Sequence, residues 1–175
     1  IMNGYWNDPD ATSKTIIDGW VHTGDIGEFD EEDYLKITDR KKDIIVNAGG
    51  DNISPTRIEA KIDIEPEIAQ SMLYGDYKNY LVAVIVPDKD FALNWAKENG
   101  KDQKLESIVK DDDFNKLMKE VVNRVNKNLS VIEQVRKFIL IDHEFTIENS
   151  MMTVSMKVRR FAVKDKYQED LEKLY

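Results

Sequence analysis

The chain has 175 residues, of which 25 are basic and 34 acidic, so its formal net charge is −9. This acidic balance argues against a protein that binds a nucleic-acid backbone through a broad basic face, and we expect no nucleic-acid partner. With no cysteine and only two histidines, which are far apart, the sequence offers neither a disulfide nor a zinc triad, so we expect no metal site in this segment.

Residues 1–38 predict a strip of short elements that lacks a core of its own. A helix is predicted to begin at Asn7-Asp8-Pro9-Asp10, and three strands of a β-meander follow at Trp20-Val21, Ile26–Phe29 and Tyr34–Ile37. The meander would hold Asp25 at a tight Thr-Gly-Asp corner. Because the sequence also begins with Ile1 rather than Met, we expect these residues to be the end of a larger domain.

The charged residues 39–43 interrupt the apolar pattern and are the predicted hinge between residues 1–38 and a domain at residues 44–175. The elements predicted in that domain, in chain order, are a strand at Ile44–Val46, a helix from Ser54-Pro55 to Ile62, paired strands at Ser71–Tyr74 and Leu81–Val86, a helix ending near Gly100, a long helix from Asp111 to Leu129, a strand at Lys137–Ile141 and a helix at Lys157–Lys173. Helices and strands segregated in this way predict a small α+β domain with a mainly antiparallel sheet and packed helices.

Three ordered sequence blocks carry the functional signal. They are Gly19-Trp20-Val21-His22-Thr23-Gly24-Asp25-Ile26-Gly27, then Asp39 through Ser54-Pro55, then Ser155-Met156-Lys157-Val158-Arg159-Arg160. Together they resemble signatures of the adenylate-forming acyl-CoA synthetase superfamily, most closely its long-chain fatty acid ligases. The resemblance extends from about Gly4 to Tyr167. It implies that residues 1–38 end the large amino-terminal adenylation domain and that residues 44–175 are the carboxy-terminal lid.

The resemblance assigns nucleotide binding to Asp25 and Arg40. A carboxylate accepts hydrogen bonds from the two hydroxyls of a ribose, and a guanidinium keeps its charge beside a phosphate at any working pH. Taken alone, the Thr-Gly-Asp tripeptide favours an ordinary turn aspartate, and a lone arginine in a charged run favours a solvated surface residue. The surrounding motif favours the nucleotide-binding role for both Asp25 and Arg40.

The second block supplies the hinge and a loop that the resemblance places beside CoA. Lys42 occupies the position where such lids pivot between two poses, one for each half of the reaction, although a plain surface role is also open. Gly49 and Gly50, with Asn52, would leave room for the pantetheine arm of CoA. Long-chain ligases usually have Gly-Gly-Glu-Asn here, so Asp51 is a mild substitution, and the loop would also cap the helix that follows.

Lys157 is the implied catalytic residue. When a carboxylate attacks the α-phosphorus of ATP, negative charge develops on several oxygens, and a lysine ammonium can bridge them. Long-chain ligases usually read Asn-Gly-x-Leu-Thr-Pro-Thr-Leu-Lys, whereas this chain has Ser150 in place of the glycine and Val154 in place of the proline. We expect these changes to loosen the loop that positions Lys157, which would affect the reaction rate more than the identity of the catalytic lysine. The alternative is that Lys157 is an ordinary surface lysine.

The implied reaction has two steps and is shared with a domain outside this chain. Fatty acid and ATP form acyl-adenylate and pyrophosphate, and the CoA thiol then displaces AMP. The expected cofactors are ATP/AMP, CoA and Mg²⁺, with the magnesium ligand outside this chain. We therefore expect the 175-residue segment alone neither to catalyse the reaction nor to bind ATP tightly.

Two alternatives to a fatty acid ligase stay open at this stage. One is the lid of an enzyme that activates aryl or amino acids, because specificity would reside in the missing amino-terminal domain. The other is a degenerate, non-catalytic interaction module, which the altered lysine loop would permit. No apolar run in the sequence is long enough to span a bilayer, so we expect a cytoplasmic protein. Long-chain substrates would add peripheral contact with a membrane.

Overall fold

The computed structural model describes residues 2–175, and the chain divides into two compact units, Ile1–Ile44 and Ile45–Tyr175. Across the described residues, every buried apolar side chain lies from Ile45 onward. The first unit therefore has no apolar core, in keeping with its short strands. The α+β class predicted from the sequence is confirmed.

The first unit consists of one helix and two hairpins. Its elements are α1 (Pro9–Thr15), β1 (Ile16–Ile17), β2 (Trp20–Val21), β3 (Asp25–Phe29) and β4 (Leu35–Arg40). As expected, α1 begins at the predicted position: Pro9 is in its first turn, and the Asp8 carboxylate accepts a hydrogen bond from the Ala11 backbone N–H at 2.8 Å.

The expected three-stranded meander is instead two separate two-stranded sheets. β2 pairs with β1, and β3 pairs with β4, both antiparallel. The reason is the turn between β1 and β2, where Asp18 and Gly19 have φ of 51° and 80°. Asp-Gly with two positive φ values is a favoured two-residue hairpin turn, so it folds β2 back on the residues before it. β4 also continues through Arg40, two residues past the predicted domain end at residue 38.

The second unit is built around a three-stranded sheet. Its elements are β5 (Ile45–Val46), β6 (Asn52–Ile53), α2 (Pro55–Ile62), β7 (Ile68–Tyr74), β8 (Leu81–Pro87), α3 (Lys89–Glu98), α4 (Leu105–Ile108), α5 (Asp112–Asn126), a 3₁₀ turn (Val131–Glu133), β9 (Val135–Leu140) and α6 (Arg160–Glu172). The sheet order is β7-β8-β9. The first pair is antiparallel as predicted, and the second is parallel, which the sequence pattern did not indicate.

The central strand β8 separates two apolar clusters. Because side chains alternate across a strand, Leu81, Ala83 and Ile85 join the cluster that includes α2, α3 and α5, whereas Val82 and Val84 join the one that includes α6. Both faces of β8 are thus covered, and all seven of its residues are buried. This explains why the strand reads as a continuous apolar run.

The final helix begins later than predicted. α6 starts at Arg160, so Lys157 and its two successors belong to the preceding loop instead of the predicted helix at 157–173. The other predicted helices of the unit are present, with α3 followed by Gly100 at φ 64°, the left-handed conformation expected there. In the part of the chain that the structure describes, no helix is both long and apolar enough to cross a bilayer.

Candidate functional site

Asp25 and Arg40 face each other across the β3–β4 hairpin. They are register partners in the two antiparallel strands, and Arg40 Nε lies 2.9 Å from Asp25 Oδ1. Their side chains remain 29% and 54% exposed, so a ligand can reach both groups. The hairpin therefore presents a carboxylate acceptor beside a fixed cation, which is a suitable pair for a ligand carrying both hydroxyl and phosphate groups.

The expected Thr-Gly-Asp corner positions this pair. The Asp25 backbone N–H donates to Thr23 Oγ1 at 3.1 Å, and the Lys41 N–H donates to the Gly24 carbonyl at 2.8 Å. Gly24 has φ 74°, a conformation that favours glycine. Arg40 Nη1 also donates to the Thr23 carbonyl at 3.2 Å, so the corner holds the guanidinium as well as the carboxylate.

An open groove adjoins the corner within the first unit. It is lined by Lys14, Ile17, Trp20, Val21, His22, Thr23, Gly24, Asp25 and Lys41. Trp20 is 77% exposed, so its indole face is available to a planar ring. Trp20 is not among the predicted site residues, although it lies inside the first motif block, where an aromatic residue next to a turn is a recognisable signal.

Lys42 lies in the turn that ends the first unit. The backbone N–H groups of Asp43 and Ile44 both donate to the Arg40 carbonyl, at 2.9 and 3.2 Å, and the boundary between the two compact units follows Ile44. Lys42 itself is exposed, as expected for a solvated linker. Its role as a pivot stays a prediction.

Gly49 and Gly50 lie in the tip of the hairpin formed by β5 and β6, and Asn52 begins β6. The loop is closed by Asn47 and Asp51: Asn47 Nδ2 donates to Asp51 Oδ2, and the Asp51 N–H donates to Asn47 Oδ1, both at 2.9 Å. Gly50 has φ 86° and open space where a Cβ would be. The loop is therefore narrow and held in shape by the side chain that differs from the usual glutamate. Ser54 caps α2 directly afterwards.

Lys157 lies in a second hairpin, one residue before the bridge between Met152 and Val158 that closes it. The Lys157 N–H donates to Thr153 Oγ1 at 3.1 Å, and the Lys157 carbonyl accepts from the Thr153 N–H at 2.8 Å. The side chain of Lys157 is exposed, and its neighbour Met156, 69% exposed, has φ 59°. The hairpin thus fixes the lysine backbone and leaves its ammonium available.

The base of this lysine hairpin (residues 152–158) is held by two preceding residues, Asn149 and Met151, that are not among the predicted site residues. Asn149 Oδ1 accepts from the Thr146 N–H at 2.9 Å and from the Met151 N–H at 3.1 Å, while its amide donates to the Glu144 carbonyl at 2.8 Å. Met151 is 2% exposed and anchors the base in the second apolar cluster. Asn149 was visible in the motif, but its function as the centre of a hydrogen-bond network depends on the fold.

A series of side-chain hydrogen bonds connects the loop that follows β9 to α6. His143 Nδ1 lies 2.7 Å from Asp142 Oδ1, and His143 Nε2 lies 2.7 Å from the Tyr167 hydroxyl. The His143 hydrogen bond holds the pKa of Asp142 below its usual value, whereas burial, with Asp142 nearby, raises the pKa of Tyr167 to about 12. Tyr167 therefore stays protonated at neutral pH and can donate to the imidazole.

Among the predicted site residues, the structure brings one pair into direct contact. Asp25 and Arg40 are paired directly, but no hydrogen bond within the described chain joins the glycine loop to the lysine hairpin. In residues 2–175 no group of three or more His, Asp or Glu side chains is placed to hold a metal ion. The glycine loop and the lysine hairpin are thus two separate loops of the second unit.

Comparison with protein families identifies the second unit. Residues 42–175 match the AMP-binding enzyme C-terminal domain. The chain belongs to this family. The match covers both the glycine loop and the lysine hairpin, and together with the relatives that follow it confirms the family resemblance predicted from the sequence.

Curated relatives match the whole length of this chain. Long-chain-fatty-acid–CoA ligase FadD15 of Mycobacterium tuberculosis is 35% identical over 177 residues, which cover 100% of this chain and 30% of the ligase. Long-chain-fatty-acid–CoA ligase 1 of Cavia porcellus is 33% identical over 179 residues, covering 100% of this chain and 26% of the ligase. The chain therefore spans less than a third of the length of these relatives.

Two solved structures with the same fold are adenylation domains of carboxylic acid reductases. The adenylation domain of a carboxylate reductase from Mycobacterium chelonae has a TM-score of 0.83 and 28% identity, covering 99% of this chain and 26% of that one. The A domain of carboxylic acid reductase from Segniliparus rugosus, in complex with AMP and a co-purified carboxylic acid, has a TM-score of 0.82 and 27% identity, covering 100% and 26%.

Proposed function

We propose that this chain is the carboxy-terminal part of an ATP-dependent long-chain fatty acid–CoA ligase. The observation that carries the proposal is Lys157, an exposed ammonium on an anchored hairpin in a chain that belongs to the AMP-binding enzyme C-terminal domain family. The relatives named as long-chain-fatty-acid–CoA ligases match the chain over its full length. Residues 44–175 would act as the lid, residues 1–38 as the end of the adenylation domain, and the turn around Lys42 as the hinge.

In the first step the fatty acid carboxylate attacks the α-phosphorus of ATP, forming acyl-adenylate and releasing pyrophosphate. Lys157 would hold the negative charge that develops on the carboxylate and phosphate oxygens. Asp25 would accept the ribose hydroxyls, and Arg40 would bind the ribose or the α-phosphate. Magnesium neutralises phosphate charge in such reactions, and we assign its ligands to the part of the enzyme outside this chain.

In the second step the CoA sulfur attacks the acyl carbonyl carbon, the bond to AMP breaks, and the thiol proton is lost. The glycine loop would leave a narrow passage for the pantetheine arm, because Gly49 and Gly50 carry no side chain at its tip. Rotation about Lys42 would exchange the lysine hairpin for this loop between the steps. The enzyme would be cytoplasmic, with peripheral membrane contact arising from its substrates.

The test separates the two steps in the full-length protein. Wild type, Lys157→Ala and the control Lys119→Ala, an exposed lysine of α5, are assayed for acid-dependent pyrophosphate release and for thioester formation from preformed acyl-adenylate. We expect Lys157→Ala to lose the first activity by a factor of roughly 10² or more and to keep the second. Equal loss of both activities, or no loss, would refute the role of Lys157. The isolated 175-residue chain is expected to be inactive and to bind ATP weakly.

A second candidate is a lid that serves an enzyme activating other carboxylic acids. It is favoured by the similarity to the carboxylate reductase adenylation domains. A panel of fatty, aryl and amino acids in the pyrophosphate assay distinguishes the candidates by which acids turn over. A wild type that is inactive with every acid would instead support a non-catalytic interaction module.

A further inference from the structure

A partly buried ion pair joins the two helices that follow the glycine loop and the lysine hairpin. Arg160 Nη1 donates to Glu59 Oε1 at 2.6 Å, and Arg160 Nη2 contacts Glu59 Oε2, so the pair is bidentate. The Glu59 side chain is 11% exposed and that of Arg160 21%. Glu59 Oε1 also accepts the Leu73 backbone N–H of β7 at 2.7 Å. One carboxylate therefore connects α2, α6 and the central sheet.

The two partners of the pair lie in helices that directly follow the two loops of the candidate site. Glu59 lies in the middle of α2, which begins at the Ser54 cap directly after the glycine loop. Arg160 is the first residue of α6, three positions after Lys157. Because a helix and a sheet are stiff, a bidentate contact at the start of α6 fixes the point from which the lysine hairpin projects.

Stability alone is a weak explanation for such a pair. Removing two charges from water offsets most of their attraction, and apolar side chains of similar volume often stabilise a fold equally well. A planar guanidinium fork on a carboxylate instead supplies a fixed relative orientation. The Arg159 N–H, which donates to the Met151 carbonyl at 2.7 Å, joins the same point to the base of the hairpin.

We propose that Glu59 and Arg160 are positioning residues for the adenylation step. They hold the start of α6 against α2 and β7, and thereby aim Lys157, which alone of the three touches substrate. The inference rests on the proposed function above. Because a displacement of about 1 Å from the productive geometry can cost roughly 10²-fold in rate, small rotations of α6 would be enough to impair the step.

The first experiment measures both half-reactions in the full-length protein carrying Arg160→Lys or Glu59→Gln. Lysine keeps the charge without the fork, and glutamine keeps an acceptor for Leu73 without the charge. We expect pyrophosphate release to fall roughly 10- to 100-fold, in kcat more than in KM, while thioester formation from preformed acyl-adenylate stays within about twofold. Arg124→Lys is the matched control, because Arg124 of α5 is likewise paired with two carboxylates, Glu65 and Glu67, and we expect it to alter neither step.

The second experiment measures amide hydrogen exchange in the full-length protein and does not depend on enzymatic activity. In Arg160→Lys and Glu59→Gln, the amides of Lys157 and Arg159 are expected to exchange at least about tenfold faster, with the amides of α5 unchanged. Uniform loss of protection, or equal loss of both half-reactions, would make the pair merely structural and overturn the proposal. So would unchanged exchange and unchanged adenylation. A wild type inactive in both steps refutes the proposed function instead, and the exchange result then still decides whether the pair holds the hairpin.

Discussion

Ser150 and Arg159 close the base of the lysine hairpin, with Arg159 Nη1 donating to the Ser150 carbonyl at 3.1 Å. Ser150 makes this contact from a left-handed backbone conformation, φ 63°. It stands where long-chain ligases usually have glycine, the residue that adopts positive φ at least cost. Residues with a Cβ are strained in this conformation.

Replacing Ser150 with glycine should therefore stabilise the protein. We expect Ser150→Gly to raise the free energy of unfolding by about 0.5–1 kcal/mol, because relief of strain outweighs the added freedom of the unfolded chain. Ser155→Gly is the control in the same hairpin, because Ser155 has no positive φ. Urea unfolding of both variants tests the prediction, and a gain for Ser155→Gly equal to that for Ser150→Gly would contradict it.

Gly50 should show the opposite dependence on backbone conformation. A Cβ at this position would meet open space, so the cost of Gly50→Ala arises from φ 86° and not from a clash. We expect Gly50→Ala to lower the free energy of unfolding by about 1 kcal/mol, and Gly50→Asn by less, because asparagine tolerates left-handed backbone better than alanine. Thermal unfolding at fixed pH compares the two. Equal costs would show that the loop relaxes to another conformation.

Asp63 should make stability depend on pH. The Ser71 hydroxyl donates to Asp63 Oδ1 at 2.7 Å, yet burial of the carboxyl group, with Glu59 nearby, raises the pKa of Asp63 from 3.8 to about 6. The folded chain then holds a proton that the unfolded chain has lost, so this contribution is present below pH 4 and disappears as the pH rises through 6. Asp63 as a whole residue is nevertheless exposed to solvent, which reduces the effect through screening.

We therefore expect Asp63→Asn to stabilise the protein above pH 6 relative to wild type, by about 1 kcal/mol after screening. Near pH 4 the two proteins should differ little, because the wild-type carboxyl is then largely protonated. Urea unfolding at pH 4, 5, 6 and 7.5 measures the difference in free energy of unfolding between the two proteins. The contributions of the other titrating groups are common to both and cancel. A difference that is constant across these pH values would contradict the raised pKa.

The Asp25–Arg40 pair yields a prediction for nucleotide affinity. Asp25→Asn keeps the size of the side chain and removes its charge. Because hydrogen bonds to charged groups contribute about 1.5–3 kcal/mol, we expect the KM for ATP of the full-length protein to rise roughly 10- to 100-fold. Lys36→Gln is the control, since Lys36 pairs with Asp30 at 3.4 Å on the same hairpin. Equal effects of the two substitutions would remove Asp25 from the nucleotide site.

Much of the fold was predictable because local signals agreed with the final structure. Ser54 and Pro55 begin α2 as their capping preferences predict, and the apolar stripe of α5 packs into the core. The predicted start of α6 at Lys157 is three residues too early, because the residues around Lys157 carry no strong turn signal and Met156 takes a positive φ. The separation of β2 from β3 was missed, although Asp18-Gly19 carried that information.

The class of the domain, its family and the candidate functional residues could all be predicted from the amino-acid sequence. Motif order and apolar periodicity can be read directly along the chain. Only the tertiary structure decided which of those residues meet. It paired Asp25 with Arg40, laid β9 parallel to β8, and joined Glu59 to Arg160, 101 residues away. The Asp25–Arg40 pair depends on the register of the β3–β4 hairpin, and the other two contacts depend on how the second unit packs around the two faces of β8. No local pattern in the sequence encodes either.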